Sequence, residues 1–372
     1  MASVLESYLL QVIDARRPVK GAVPSVLRGF LGGAARLYDA GLESYLAAET
    51  MGIRKRERLP IPVVSIGNLT VGGTGKTPMT VKLCGKLREK GVRLAILSRG
   101  HGGSSQETRV VSDTEGRMLL SPRDAGDEPV MLARSCSKIP VIVGKDRYQS
   151  GREALRRWPL DLLVLDDGFQ YWQLARDLDI VLLDSVLPFD NGYPLPRGLL
   201  REPKRHLSRG HIAVITRADR LDAAGKTAII EEIHAIKPNM PIFFASHKPI
   251  SLIPVTGSSD PAPLSALFDK PIVALSGIAQ PQSFLDTLKS AGYRIAGSLK
   301  YDDHHNYTVE DIKTATDTAE GSGAEAIVMT EKDSVKWPEY ETKIPIYALR
   351  IEMSIEKEAE LINSILTIDM ES

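Results

Sequence analysis

From residue 61 onward, short apolar runs alternate with segments whose apolar residues recur every three or four positions. The runs at 61–66, 93–98, 139–143, 161–165 and 179–184 are apolar almost throughout. A strand covered on both faces reads this way, whereas a half-exposed strand alternates apolar with polar. Helical spacing lies between several of them, at 77–90 and 148–157. After a Pro/Arg/Gly-rich stretch at 188–209 the style resumes. Strands are expected at 211–216, 241–245, 271–276, 293–297, 325–330 and 344–349, and helices at 222–236, 280–291, 308–319 and 354–366. Strand, helix, strand in succession predicts an α/β fold with two α/β/α domains, the first built on a mostly parallel sheet. The expected divisions are an N-terminal helical segment at 1–60, a first domain at 61–207 and a smaller α/β domain at 208–372.

The first sixty residues differ from the rest. Leu27, Phe30, Ala34, Leu37 and Tyr38 recur at helical spacing, and Leu42, Tyr45 and Leu46 continue the stripe. Arg54, Lys55, Arg56 and Arg58 follow. An amphipathic helix beside a basic cluster can lie on an anionic membrane surface. The same pattern also suits a stripe packed on the protein's own core with a solvated basic turn. Both readings stay open at this point.

Composition narrows the class. With 43% hydrophobic and 25% charged residues the chain is an ordinary globular protein. Lys+Arg and Asp+Glu both number 47, so no basic excess points to nucleic acid. The two cysteines, Cys84 and Cys136, form neither a disulfide framework nor a metal cluster and suit a reducing compartment. No run of eighteen apolar residues is present and the N-terminus lacks the marks of a signal peptide, so the expected compartment is the cytoplasm.

The most informative stretch is Thr70-Val71-Gly72-Gly73-Thr74-Gly75-Lys76-Thr77, after one apolar run and before helical spacing. Strand, glycine-rich loop and helix form the context of a phosphate-binding P-loop, whose backbone N–H groups and helix N-terminus face phosphate oxygens. Lys76 would reach the β- and γ-phosphates, and the Thr77 hydroxyl would bind Mg²⁺. The simpler reading is a glycine turn capping a helix. The first domain is therefore expected to be P-loop NTPase-like. Leu162 to Asp167 is an apolar strand ending in two carboxylates, Asp166 and Asp167, which suits an Mg²⁺-side acid or a plain acidic turn. Ser98-Arg99-Gly100-His101-Gly102-Gly103 could make an anion-friendly loop, with Arg99 as the candidate contact, or an ordinary surface turn. Asp127 could accept a proton from an attacking hydroxyl or could cap a helix. His304 lies in the polar cluster 302–307 and could orient or relay a proton, or the cluster could be a satisfied surface loop. Arg147, and Arg197, Arg201 and Glu202 in 196–203, could clamp phosphates, since arginine does so with a planar fork, although most single arginines are only solvated. Thr216-Arg217-Ala218-Asp219 and Thr330-Glu331-Lys332-Asp333 both follow strands and only loosely match the Lys-x-Asp base reader of GTP-binding proteins.

Taken in order, Asn68 to Pro78, Ser98-Arg-Gly100, Gly126-Asp-Glu-Pro129, Leu165-Asp-Asp-Gly-Phe-Gln170, Leu200-Arg-Glu-Pro203, Asp303-His304 and Thr330-Glu-Lys-Asp333 resemble the tetraacyldisaccharide 4′-kinase family. That family makes lipid A in Gram-negative bacteria, and the resemblance runs from about residue 20 to 350. The loop opening on Thr70, where P-loops usually have Gly, is the family's form. The resemblance implies transfer of the ATP γ-phosphate to the 4′-hydroxyl of a lipid A disaccharide precursor, with two α/β domains around a cleft. It implies Asp127, His304 and Lys76 as catalytic residues, and 70–77 as the ATP loop. Arg99, Arg147, Asp167 and Arg201 fall on the substrate side, and Thr77, Asp166, Asp167 and Glu202 on the Mg²⁺ side. It implies peripheral docking of the N-terminal stripe at the cytoplasmic face of the inner membrane. Two positions depart from the family pattern, His101 for Tyr and Tyr171 for His. The alternatives are another P-loop kinase or ligase and a non-enzymatic, nucleotide-dependent membrane switch.

Overall fold

The structure, a computed structural model, describes residues 12–13, 21–53, 55–101, 103, 107–255, 260–278, 281–303, 305–338 and 340–368. His304 and Arg54 therefore lie outside the described residues. In chain order the elements begin with α1 (Ala22–Thr50), β1 (Val63–Asn68), α2 (Lys76–Glu89), β2 (Leu94–Ser98), β3 (Arg109–Ser112), α3 (Pro122–Ala125), α4 (Asp127–Ser135) and β4 (Val141–Val143). They continue with α5 (Arg147–Arg157), β5 (Leu162–Asp166), β6 (Leu178–Asp184), β7 (Ile212–Thr216), α6 (Ala223–Ile236) and β8 (Ile242–Pro254). The last are β9 (Pro271–Ser276), α7 (Pro281–Ser290), β10 (Arg294–Lys300), α8 (Val309–Gly321), β11 (Ala326–Thr330), α9 (Glu331–Ser334), β12 (Ile346–Ile355) and α10 (Glu358–Leu366).

The chain forms two compact units, each assembled from separated segments. One takes 1–76, 161–246 and 355–372; the other takes 77–160 and 247–354. In the first, strands β8, β7, β6, β1 and β5 are neighbours in that order and every pair is parallel. All residues of β1, β5, β6 and β7 are buried, the physical reason their sequences are apolar runs without alternation. Ile66 stands opposite Asp166, so the acid that ends β5 lies beside the end of the strand that leads into the glycine loop. Phe169 is fully buried and packs against Gly67, where a Cβ would come within 2.6 Å of the Phe169 Cβ. Gly67 is thus required by close approach of backbone to side chain. The core around them includes Leu69, Val181, Leu183, Leu200 and Ile215.

In the second unit, β2 and β4 are parallel and β3 is an antiparallel edge on β4. A further run, β10, β9, β11 and β12, is entirely parallel. The expected α/β class with mostly parallel sheet is what the chain adopts. β8 and β12 extend well past the apolar runs expected at 241–245 and 344–349, and α10 starts at Glu358 rather than 354 because β12 continues to Ile355. Their extra residues alternate in burial and so carry no continuous apolar signal.

Helix α1 settles how the N-terminal stripe is divided. Val23, Val26, Phe30 and Leu37 are 69–77% exposed. At 3.6 residues per turn these four fall within an arc of about 60°. Ala35 is buried, and Leu27, Ala34, Leu42, Tyr45 and Leu46 are half-buried on the adjoining arc. On that side the Tyr45 ring lies 4.9 Å from the Trp172 ring, and the Tyr38 hydroxyl donates to the Arg201 carbonyl at 2.9 Å. Packing on the protein's own core thus accounts for one arc of the stripe and leaves Phe30 and Leu37 uncovered. Of the basic cluster, Arg56 pairs with Glu49, and Arg58 lies 3.1 Å from Asp177. Among the described residues no helix is long and apolar enough to cross a membrane.

Candidate active site

The glycine loop leaves β1 and enters α2, which begins at Lys76. Gly72 and Gly75 have φ of +117° and +85°, the left-handed region that favours glycine. Val71 N–H donates to the Leu199 carbonyl at 2.7 Å, which anchors the start of the loop. Asn68, at the end of β1, donates to Thr74 Oγ1 at 2.8 Å and lies 3.4 Å from Lys76 Nζ. Lys76 Nζ is also 3.7 Å from Asp167 Oδ1. Arg217 donates to the Gly73 carbonyl at 2.9 Å and pairs with Asp184, so a cation braces the outer side of the loop. These fixed contacts are what a phosphate cradle needs, because N–H groups held in place by the fold require no reorganisation when an anion arrives.

The two acids at the end of β5 have different settings. Asp166 is 2% exposed. Asp167 has φ +54° and receives Arg201 Nη1 at 2.9 Å on both carboxylate oxygens. Arg201 also donates to Gln170 Oε1 at 3.2 Å. Gln170 in turn donates to Glu202 Oε1 at 3.0 Å. Glu202 is fully buried, and its Oε2 takes His206 Nδ1 at 2.8 Å and pairs with Arg209. His206 Nε2 then lies 2.9 Å from Glu43 of α1, and the His206 and Arg205 hydrogen bonds hold the Glu43 carboxyl below its ordinary value. A polar chain therefore runs from α1 through His206, Glu202, Gln170 and Arg201 to Asp167 and Lys76.

Expected on the Mg²⁺ side, Glu202 has both oxygens engaged by protein donors. Glu202→Ala should therefore destabilise the fold by about 3–5 kcal/mol, because it strands a buried guanidinium and imidazole. Urea denaturation reads this directly. An unchanged midpoint would mean that the network contributes nothing to stability.

The second unit holds the other expected residues. Asp127 begins α4 and is 9% exposed. Gly126 before it has φ +91°, and a Cβ there would come within 2.4 Å of the His101 carbonyl oxygen. A Cβ on Gly103 would come within 2.6 Å of the Asp124 carbonyl. The glycine loop that carries exposed Arg99 thus packs backbone to backbone on the turn presenting Asp127. At this contact His101 contributes its carbonyl, which any residue supplies. Likewise the Tyr171 carbonyl accepts a hydrogen bond from Arg176. Lys336 Nζ lies 3.1 Å from Asp127 Oδ2. Arg147 begins α5, is 5% exposed and donates to the Lys145 carbonyl at 2.7 Å. Thr77 is buried in the first turn of α2. Asp303, beside His304 in sequence, is held by Lys332 at 2.9 Å.

Lys336, Arg217 and Asn68 were not among the candidate site residues. Asn68 and Arg217 lie within the motifs 68–78 and 216–219, at the end of β1 and just after β7, and residue type at a strand's end is the available signal. Lys336 carried no local signal, since its partner is remote in sequence. The loose base-reader reading of 330–333 does not fit, because Asp333 is fully buried and accepts the Gly277 N–H at 3.0 Å. Among the described residues no group of three or more acidic, His or Cys side chains makes a ready metal cage. Mg²⁺ needs none, because it takes one or two carboxylates together with substrate phosphates and water.

Comparison with known proteins places this geometry. The family model described as tetraacyldisaccharide-1-P 4′-kinase (LpxK) matches residues 27–368. The tetraacyldisaccharide 4′-kinase of Syntrophus aciditrophicus is 44% identical over 306 residues, covering 80% of this chain and 81% of that protein. That of Geobacter sulfurreducens is 39% identical over 338 residues, covering 90% and 91%. The crystal structure of "apo" form LpxK from Aquifex aeolicus in complex with ATP is 29% identical, with a TM-score of 0.74 over 92% of this chain and 99% of that one. The loop, the two acids at the end of β5 and the buried Asp127 therefore sit in a chain that belongs to the tetraacyldisaccharide-1-phosphate 4′-kinase family.

Proposed function

We propose that this chain transfers the γ-phosphate of ATP to the 4′-hydroxyl of tetraacyldisaccharide 1-phosphate, forming lipid IVA in lipid A biosynthesis. The observation that carries this is the braced glycine loop around Lys76, in a chain of this family. Phosphoryl transfer asks mainly for charge neutralisation and alignment. Lys76 and the amides of 70–77 hold the triphosphate. Thr77 with Asp166 or Asp167 would hold Mg²⁺, an oxygen-only set that suits a hard cation, and the ion would neutralise phosphate charge. Asp127 orients the sugar hydroxyl and takes its proton, with His304 as partner. Arg99, Arg147 and Arg201 meet anionic groups of the substrates. In this reading residues 61–207 carry the nucleotide chemistry, and 208–372 complete the catalytic set through His304.

The test is acceptor dependence. Purified protein with ATP, Mg²⁺ and detergent-dispersed tetraacyl disaccharide 1-phosphate should release ADP and add one phosphate to the lipid, read by mass. ADP release unaffected by the lipid would favour a nucleotide-dependent switch instead.

The reading also places the protein peripherally at the cytoplasmic face of the inner membrane, through the exposed arc of α1. Phe30→Ser with Leu37→Ser should weaken binding to anionic vesicles by up to about 1.5–3 kcal/mol for each side chain that inserts fully. Both side chains are about three-quarters exposed, so the melting temperature should hold. Vesicle sedimentation equal to wild type would remove the docking role.

A further inference from the structure

The Thr330-Glu331-Lys332-Asp333 motif has no part in the chemistry above, yet every one of its side chains is engaged. Thr330 caps α9, accepting the Asp333 N–H at 3.1 Å and donating to Asp333 Oδ2 at 2.6 Å. Glu331 lies 3.0 Å from Arg350, and Lys332 lies 2.9 Å from Asp303. Asp333 accepts the Gly277 N–H and stands so close to that glycine that a Cβ there would come within 3.0 Å of its Oδ1 and 2.8 Å of the Tyr307 hydroxyl. Two hydrogen bonds to the buried Asp333 Oδ2, together with the Asp333 backbone bond to Thr330, make a stiff turn.

The turn ends on Lys336, whose N–H donates to the Asp333 carbonyl at 3.1 Å. The Lys336 side chain is 5% exposed, an uncommon setting for an ammonium. It lies 5.9 Å from the centre of the Tyr307 ring, with its Nζ 3.1 Å from Asp127 Oδ2. The contact is within ion-pair range but off a hydrogen-bond axis. Tyr307 Oη and Asp333 Oδ1 are likewise buried without an aligned hydrogen bond. Burial, and next the nearby Asp333 charge, still push the Tyr307 phenol up, which keeps it neutral beside the ammonium.

We infer that Lys336, seated by the Thr330–Asp333 turn, is the positioning residue for Asp127, an inference that rests on the reading of Asp127 as the base. Phosphoryl transfer depends mainly on positioning and electrostatic stabilisation. Orientation of the carboxylate counts for more than its basicity. A fixed ammonium 3.1 Å from Oδ2 supplies it, setting the plane of the carboxylate.

The experiment compares Lys336→Met, Lys336→Ala, Asp127→Asn and the double variants, using ATP and the tetraacyl disaccharide phosphate. Lys336→Met should lower kcat by on the order of 10²-fold, the usual penalty of a misplaced catalytic group, with KM for ATP roughly unchanged. Ethylammonium should restore part of the kcat of Lys336→Ala, saturably, and none in the variant that also carries Asp127→Asn. Asp127→Asn with Lys336→Met should be no slower than Asp127→Asn alone, because Lys336 acts only through Asp127. Near-wild-type kcat in Lys336→Met while Asp127→Asn is slow overturns this inference alone. Multiplicative losses in the double variant also overturn it. Near-wild-type kcat in Asp127→Asn removes the base itself and the inference with it. If both Lys336 variants lose the native melting transition and Asp127→Asn restores it, the pair serves stability and the inference falls.

Discussion

Lys76→Ala is expected to lower turnover by on the order of 10²–10³, the scale of losing one fixed charge-stabilising donor. The fold should survive. Lys76 Nζ stands 3.7 Å from Asp167, but Asp167 keeps Arg201 on both oxygens at 2.9 Å, so no buried carboxylate is stranded. The Thr74–Asn68 bond and the Arg217 brace on Gly73 are also independent of the lysine. The loop should therefore keep its shape and lose only its cation. Steady-state kinetics alongside a melting curve separates the two effects. A folded Lys76→Ala protein with near-normal turnover would remove the phosphate-loop assignment.

Asp127→Asn is expected to reduce kcat by about 10²–10⁴, the range for removing a positioned general base. KM for ATP should change far less, because the proton moves only in the transition state. Asparagine keeps the shape and the place at the start of α4, where Gly126 fixes the turn. It removes the negative charge that faces Lys336, so some stability is lost through an unpaired buried ammonium. The melting temperature must therefore be measured beside kcat. If the rate loss appears as a higher KM for ATP with kcat intact, Asp127 serves nucleotide binding and not proton transfer.

The two substitutions probe parts of the protein that differ in how openly the sequence displays them. The loop is local: strand, glycines, Lys76 and helix are contiguous, and each step follows from neighbouring residues. The run before Asp166 is equally plain, because a parallel strand buried on both faces must be apolar throughout. Asp127 was legible only as one of two things, a base or a helix cap. In the structure it does begin a helix, so its position at α4 decides nothing by itself.

What the sequence alone determined is the alternation of buried strands and helices, the phosphate loop, and the acids at the end of β5. These depend on short-range spacing and on side-chain polarity, both of which are written along the chain. Tertiary structure alone decided which face of α1 is covered. Helical spacing marks an apolar arc, but only the approach of Trp172 and Arg201 shows that Phe30 and Leu37 lie outside it. It also decided that Glu202 is enclosed by Gln170, His206 and Arg209, residues whose convergence no local pattern announces. The meeting of Lys336 with Asp127 is of the same kind. An ion pair between remote segments is set by how the chain closes around its sheet, and a lone lysine in sequence looks the same whether it faces water or a buried carboxylate.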